Sequence, residues 1–202
     1  MVKVKICGLS RMLDIETVNE YKPDYIGFVF AKNSRRRITP RQALELRKRL
    51  SPNIIPVGVF VDEPVENILA LAHDGTIDFV QLHGSENEEY IKKLKTFTDK
   101  LIIKAVAVRD KGDIQKWVET AADYLLLDHK NGGSGEVFDW DIIGQTDKPY
   151  FLAGGLSPEN ITKAINTTTP FAVDVSSGVE TDGLKDPLKI KEFIRRVREW
   201  IK

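Results

Sequence analysis

The sequence predicts an α/β protein in which eight parallel strands close into a single (β/α)8 TIM barrel. Short apolar runs rich in β-branched residues alternate with longer charged segments of helical period, which is typical of parallel strands joined by crossover helices. Eight such runs occur in 202 residues, or about 25 residues per unit, near the lower limit for a closed barrel. An open doubly wound sheet usually has only five or six strands, so the closed barrel is favoured.

The strands are predicted, in chain order, from the apolar runs. The first run ends at Cys7 and is followed by Gly8, and the sixth run is followed directly by an acid, Asp128. Because the strands are parallel, their carboxyl ends meet at one end of the barrel, where the active sites of such barrels are built. The predicted strands cover residues 2–7, 25–30, 55–61, 79–82, 101–106, 124–127, 150–153 and 171–175.

Amphipathic segments between the strands predict the helices, because Leu or Ile returns every three or four residues. The clearest cover residues 40–50, 64–73, 87–97 and 186–201. Proline marks several helix starts, since the first helical turn does not need its N–H group. These prolines are Pro40, Pro64, Pro158 and Pro187.

The composition predicts one domain over residues 1–202 and a small-molecule partner. Lys plus Arg and Asp plus Glu both number 30, and this balance argues against nucleic acid or an anionic membrane as the partner. No stretch reaches the ~18 apolar residues of a membrane span, and the start lacks the apolar core of a signal peptide. We therefore expect a cytoplasmic protein. A single cysteine, Cys7, excludes an intrachain disulfide and a Cys-rich zinc site.

Two loops at neighbouring barrel positions predict a phosphate site. Gly154 and Gly155 follow the seventh strand just before a helix start, and Ser176-Ser177-Gly178 follows the eighth. Either loop alone is more simply an ordinary turn. Together they occupy the positions where barrels commonly hold a phosphate with backbone N–H groups.

Cys7 and Asp128 are the predicted base and acid. Each ends a strand, so each side chain is expected at the mouth of the barrel. A lone cysteine is often just a small buried hydrophobe, and an acid after a strand is often a turn residue. At the mouth, a thiolate stabilised by nearby positive charge can act as a base. A carboxyl group in a partly dry site can act as an acid.

Two further residues are predicted to bind substrate. Arg36 lies in the basic run 35–37 after the second strand and could grip a carboxylate with two hydrogen bonds. A solvated loop is the alternative interpretation of this run. His83 follows the fourth strand, and a purely structural role for it is at least as well supported. No set of His and carboxylate residues has a metal-binding spacing.

The loop after the sixth strand, residues 128–138, carries a glycine-rich segment at 132–135. Its position puts it on the catalytic face of the barrel. Phe138 and Trp140 are expected to pack the base of this loop rather than stack on a substrate.

Seven ordered motifs resemble one family, the phosphoribosylanthranilate isomerases, over essentially the whole chain. They are VKICGL (4–9), GFVF (27–30), GVFV (58–61), QLHG (81–84), GGSG (132–135) with FDW (138–140), AGGL (153–156) and DVSSGVE (174–180). The resemblance implies an Amadori rearrangement of N-(5'-phosphoribosyl)anthranilate in tryptophan biosynthesis, without metal or cofactor.

The resemblance also implies residue roles. Asp128 matches the family's general acid and Cys7 its general base. Arg36 would hold the anthranilate carboxylate. The backbone of the two loops would hold the phosphate, with Gly154, Gly155, Ser177 and Gly178 as its donors.

Other functions stay open at this point. Another phosphosugar barrel is one alternative, but a single pair of phosphate loops argues against a bisphosphate substrate. The lysine that an indole glycerol phosphate synthase would need on strand two is missing from GFVF. A catalytically silent phosphosugar-binding barrel is the alternative outside enzymes. The sequence leaves monomer and homodimer equally open.

Overall fold

The computed structural model describes residues 1–129, 139–144 and 146–200. The predicted glycine-rich segment 132–135 and Phe138 lie outside the described residues. Within the described ranges, no helix has both the length and the apolar character needed to cross a membrane.

Eight parallel strands form a closed barrel, which confirms the predicted fold. Each strand pairs with the next, and the ring closes where the last strand pairs with the first, with Lys5 opposite Asp174. The strands are β1 (Lys3–Cys7), β2 (Tyr25–Val29), β3 (Ile55–Phe60), β4 (Phe79–Leu82), β5 (Leu101–Val108), β6 (Tyr124–His129), β7 (Tyr150–Leu152) and β8 (Ala172–Val175).

The prediction was wrong at the ends of β5 and β6, which both run two residues further than expected. Ala107 pairs with Asp128, and Val108 pairs with His129. Pairing with β5 therefore extends β6 through Asp128. The local sequence does not predict this, because Asp and His have no preference for strands. Because β6 is extended, the carboxyl group is attached to a rigid element rather than to a loop.

Helices surround the barrel, and the four predicted most clearly are present with shorter bounds. The helices are α1 (Met12–Tyr21), α2 (Pro40–Arg47), α3 (Val65–His73), α4 (Glu88–Lys95), α5 (Lys111–Gln115), α6 (Ile161–Thr168) and α7 (Pro187–Glu199). After β8 comes a small hairpin of β9 (Glu180–Thr181) and β10 (Leu184–Lys185).

Pro158 does not start α6 as predicted, because a side chain holds a separate turn in front of the helix. Asn160 Oδ1 accepts a hydrogen bond from the Ser157 amide at 2.9 Å, and Asn160 Nδ2 donates to the Gly155 carbonyl at 2.8 Å. The helix begins only at Ile161. This turn ties the glycine loop to the start of α6.

The two ends of the barrel interior are filled differently. At the amino ends of the strands, aromatic rings pack against one another, with the Tyr25 and Phe151 centroids 5.4 Å apart and those of Tyr124 and Phe171 4.9 Å apart. At the carboxyl ends, the inward-facing apolar cluster contains only Cys7, Val29 and Val59, with Ala31 beside it. Small side chains leave space there, so the cavity of the barrel lies at its carboxyl end.

Candidate active site

A cavity of about 230 Å³ opens at the carboxyl ends of the strands. Its wall brings together residues from strands and loops all around the barrel, including every predicted site residue except Gly178. The predicted residues that line it are Cys7, Arg36, His83, Asp128, Gly154, Gly155, Ser176 and Ser177.

A larger cavity, of about 320 Å³, lies outside the barrel beside α2 and α3. Its lining includes Arg37, Ile38 and Leu71 but none of the residues predicted to act on or bind substrate. The predicted site residues therefore converge on the cavity inside the barrel and not on this outer one.

Cys7 is the last residue of β1, and only 7 % of its surface is exposed. Burial raises the pKa of the thiol, and the ammonium group of Lys5 opposes that rise. The Ser176 hydroxyl donates a hydrogen bond to the Cys7 carbonyl at 3.0 Å. This contact fastens the end of β1 to the loop after β8.

Asp128 faces the same cavity from β6. One carboxylate oxygen, Oδ1, accepts a hydrogen bond from the His129 amide at 2.8 Å. The other, Oδ2, lies 3.4 Å from His83 Nε2, which is long for a hydrogen bond. His83 therefore lies beside this oxygen at the cavity wall.

His83 is oriented by a residue that the sequence analysis did not single out, Gln81. The Gln81 Nε2 and His83 Nδ1 atoms are 2.8 Å apart, and both side chains line the cavity. With the amide as donor, the ring proton is on Nε2, which is the atom nearest Asp128. The QLHG motif contained the signal, because residues two apart on a strand share a face.

The three successive arginines after β2 have different surroundings. Arg36 lines the cavity, and its side chain is 14 % exposed, whereas that of Arg35 is 62 % exposed. Arg37 lines the outer cavity instead. Of the three, Arg36 is the one that lines the barrel cavity, although Arg35 Nη2 also donates a hydrogen bond to Glu180 Oε2 at 2.8 Å.

Glu180 at the start of β9 holds Arg36 in place. Its carboxylate accepts from Arg36 Nε at 2.6 Å and from Nη2 at 2.9 Å, and Lys185 Nζ donates to it at 2.6 Å. Burial tends to raise the pKa of Glu180, but the hydrogen bonds from Arg36 and Lys185 outweigh it and lower that pKa to about 2. Sequence analysis missed Glu180 because it lies 144 positions after Arg36.

The two predicted phosphate loops lie side by side at the mouth. Gly154 and Gly155 have positive φ angles of 82° and 64°, a conformation that costs glycine little. Gly178 does not line the cavity; it packs behind the wall, where a Cβ atom would overlap the carbonyl oxygen of Leu156. No turn or loop hydrogen bond among the described residues uses the amides of Gly155 or Ser177. Those amides are the donors an anion would meet.

Trp140 behaves as predicted. It begins a short 3-10 turn (Trp140–Ile142), is 8 % exposed and packs in the main hydrophobic core. Within the described ranges, no group of three or more His, Cys, Asp or Glu side chains is arranged to hold a metal ion.

Taken together, the geometry combines a thiol, a carboxyl group, a guanidinium group and backbone amides around one cavity. A thiolate and a carboxylic acid can move two protons within one bound molecule. The amides and the arginine suit a substrate with two anionic groups at separate positions.

Comparison with known proteins gives one consistent result. A family model described as N-(5'-phosphoribosyl)anthranilate (PRA) isomerase matches residues 4–196. The N-(5'-phosphoribosyl)anthranilate isomerase of Thermoanaerobacter sp. (strain X514) is 48 % identical over 204 residues, which cover 98 % of each chain.

Solved structures with the same enzyme name are similar over the whole chain. The phosphoribosyl anthranilate isomerase of Thermotoga maritima superimposes with a TM-score of 0.90 at 40 % identity, covering 99 % of this chain and 100 % of that one. Another structure, at a TM-score of 0.87 and 39 % identity over 99 % of this chain and 100 % of that one, is a phosphoribosyl anthranilate isomerase in complex with reduced 1-(o-carboxyphenylamino)-1-deoxyribulose 5-phosphate.

Proposed function

Because the chain belongs to the N-(5'-phosphoribosyl)anthranilate isomerase family and catalyses that isomerisation in tryptophan biosynthesis, we propose that Asp128 and Cys7 are its general acid and general base. The enzyme is an aldose–ketose isomerase. It converts N-(5'-phosphoribosyl)anthranilate into 1-(2-carboxyphenylamino)-1-deoxyribulose 5-phosphate by an Amadori rearrangement.

The rearrangement needs one proton delivered and one removed. Asp128, in its protonated form, gives a proton to the ribose ring oxygen, and the ring opens to a Schiff base. The Cys7 thiolate then takes the proton from C2, which leaves an enolamine that tautomerises to the ketone. One observation carries this assignment: Cys7 and Asp128 reach the same cavity from β1 and β6, and both phosphate loops also border it.

Arg36 is proposed to bind the anthranilate carboxylate. Glu180 engages the Nε and Nη2 atoms of the guanidinium group, so Nη1 and the second Nη2 proton are left to donate. These two donors form a planar fork that matches a carboxylate. Glu180 thus leaves Arg36 with one edge for the substrate.

The phosphate is proposed to bind across the loops after β7 and β8. Gly154 and Gly155 supply one side, and Ser176 with Ser177 supplies the other. Gly178 lies behind the cavity wall and permits the close approach of its loop to Leu156. The phosphate does not react, so its binding energy serves to orient the sugar between acid and base. His83, directly after β4 and next to Asp128, is proposed to contact the substrate.

The test follows the fluorescence of freshly made N-(5'-phosphoribosyl)anthranilate as purified protein converts it. Asp128→Asn and Cys7→Ser are each expected to lower turnover by at least ~10²-fold with little change in KM, the usual lower range for a lost acid or base. Near-normal turnover in either folded variant would overturn the role given to that residue. A wild-type protein without activity would contradict the isomerase function itself.

The cytoplasmic location, the monomeric or homodimeric state and the lack of nucleic-acid or membrane partners stay predictions from sequence.

A further inference from the structure

Lys5 is a charged side chain in the interior of the barrel. It lies two residues before Cys7 on β1, so both side chains point inward, and none of its surface is exposed. Lysine is almost never fully buried without a partner. Here the partner is Asp174 on the neighbouring strand β8, whose Oδ1 atom accepts a hydrogen bond from Lys5 Nζ at 3.0 Å.

Stability alone does not account for this ion pair. Replacing a buried pair with apolar side chains of similar volume is often neutral or stabilising. Many other positions of the inner barrel are filled in that apolar way, with Val57, Ile103 and Leu126 among them. A charged pair in the same interior calls for a reason other than packing.

Cys7 supplies the reason, because it is a buried thiol that has to lose its proton to act as a base. Burial raises the pKa of a thiol, and only nearby positive charge brings it down. The titratable and charged groups around Cys7 come from its own strand, from β8, from the loops after β2 and β8, and from across the cavity. They are Lys5, Asp174, Arg36, Lys185, His83 and Asp128.

Two of the three cations in this set are engaged elsewhere. Arg36 is held by Glu180 through two hydrogen bonds. Lys185 donates to Glu180 at 2.6 Å and to the Ser176 carbonyl at 2.9 Å. Lys5 has the single carboxylate of Asp174, which lines the cavity with Cys7.

Burial tends to lower the pKa of Lys5, but Asp174 and Cys7 outweigh it, and the pKa is raised. Lys5 therefore stays protonated across the neutral pH range. A permanent positive charge next to the thiol favours the thiolate, whereas the negative charge of Asp174 disfavours it.

We propose that Lys5 is a positioning residue for the isomerisation: its buried ammonium group counteracts the effect of burial on Cys7 and so makes loss of the thiol proton easier, and Asp174 moderates that effect. When the thiol gives its proton to water, Lys5 keeps its own proton, and its charge stabilises the thiolate that accepts the C2 proton of the substrate. Only this last step depends on the function proposed above.

The experiment titrates Cys7 without any substrate. Cys7 is the single cysteine of the chain, so the ultraviolet absorbance of the thiolate and the pH midpoint of alkylation by iodoacetamide both report that one group. Lys5→Met is expected to raise the pKa of Cys7 by about one unit or more, and Asp174→Asn to lower it.

Lys104→Met is the matched control. Lys104 is also a buried lysine, and its Nζ lies 3.0 Å from Glu86 Oε2, but it follows the inward-facing Ile103 on β5 and so lies on the outer face of the barrel, away from Cys7. Its replacement is expected to leave the pKa of Cys7 unchanged. An equal shift in Lys104→Met and Lys5→Met would overturn the proposal, because loss of any buried charge would then suffice.

Lys5→Met leaves the Asp174 carboxylate buried without its partner, and this can prevent folding. A double variant is therefore tested as well. Asp174→Asn combined with Lys5→Met has no unpaired charge. The pKa of Cys7 is expected to be higher in this double variant than in Asp174→Asn alone. Equal values in the two would refute the role of Lys5, while the isomerase assay on Cys7→Ser would still decide the proposed function separately.

Discussion

The two ends of the barrel interior are built from opposite kinds of residue. The amino end is closed by touching aromatic rings, with Phe151 fully buried among Tyr25, Tyr124 and Phe171. The carboxyl end holds buried charges, among them the Lys5–Asp174 pair. Apolar packing stabilises the folded state, because it removes apolar surface from water. Buried charged groups lose their hydration, which destabilises the fold, but they can take part in catalysis. Stability and catalysis are therefore separated along one axis.

The sharpest test of this separation is Phe151→Ala at the aromatic end. Removing a fully buried ring is expected to lower the free energy of unfolding by about 3–5 kcal/mol, because a cavity replaces its contacts. Denaturant unfolding measures this loss, and the turnover of the folded enzyme should be unchanged. Phe97→Ala is the control, since Phe97 is 55 % exposed and its loss should cost within about 0.5 kcal/mol. A large loss of turnover in folded Phe151→Ala would mean that the two ends are coupled.

The next largest effect is expected at the carboxyl end, from Gly178→Ala. The new Cβ would overlap the Leu156 carbonyl oxygen and push the two phosphate loops apart. Steady-state kinetics should show a loss of about 10²-fold in kcat/KM, as for other small displacements of a positioned substrate. Gly75→Ala is the control: Gly75 has a φ angle of 77° and nothing within 4 Å of an added Cβ, so it should cost about 1 kcal/mol of stability. Unchanged kcat/KM in Gly178→Ala would show that the loop contact is irrelevant to binding.

Glu180→Gln tests whether charge at the mouth orients the substrate. The amide cannot hold both Nε and Nη2 of Arg36 as the carboxylate does, so KM should rise by about 10-fold while kcat changes little. Asp113→Asn is the matched control, because Arg109 also grips Asp113 through two nitrogens, at 2.9 and 2.7 Å, away from the cavity. An unchanged or lower KM in Glu180→Gln would contradict the orienting role.

The effect expected to be smallest at neutral pH is a change in the pH dependence of stability, because it develops only in acid. The pKa of Glu180 is about 2 in the folded protein and about 4.3 in an unfolded chain. A lowered pKa stabilises the fold above pH ~4.3, and this contribution is lost as pH falls toward about 2. Between these values, the slope of unfolding free energy against pH should be smaller in Glu180→Gln than in wild type by up to about 1.4 kcal/mol per pH unit. Equal slopes in the two proteins would mean that ionisation of Glu180 does not stabilise the fold.

Much of the charged end was predictable from local sequence. Cys7 and Asp128 each end a run of apolar residues, and the glycines after β7 and β8 mark loops that approach a ligand closely. Strand periodicity and turn chemistry act over a few residues, so these features can be found without knowing the fold. The length of β6 could not be found in this way, because pairing with β5 extends it through Asp128.

The partners of the charged side chains were not predictable. Lys5 and Asp174 are 169 positions apart, and Arg36 and Glu180 are 144 apart. The sequence around one member of such a pair does not indicate the other member. The three consecutive arginines likewise cannot be told apart until the loop is folded. Gln81 is a partial exception, since its two-residue spacing from His83 placed both on one strand face.

The alternation of strands and helices, the two glycine loops and the residues that end the strands follow from short-range periodicity and backbone preference, so they can be predicted from the sequence. Which charged side chains meet depends on the folded barrel. Closure of the barrel places β8 against β1, and only this contact brings Asp174 to Lys5 and the loop after β8 to Cys7 and Arg36. Electrostatic interaction depends on distance in space and on burial, and both exist only after the chain has closed on itself.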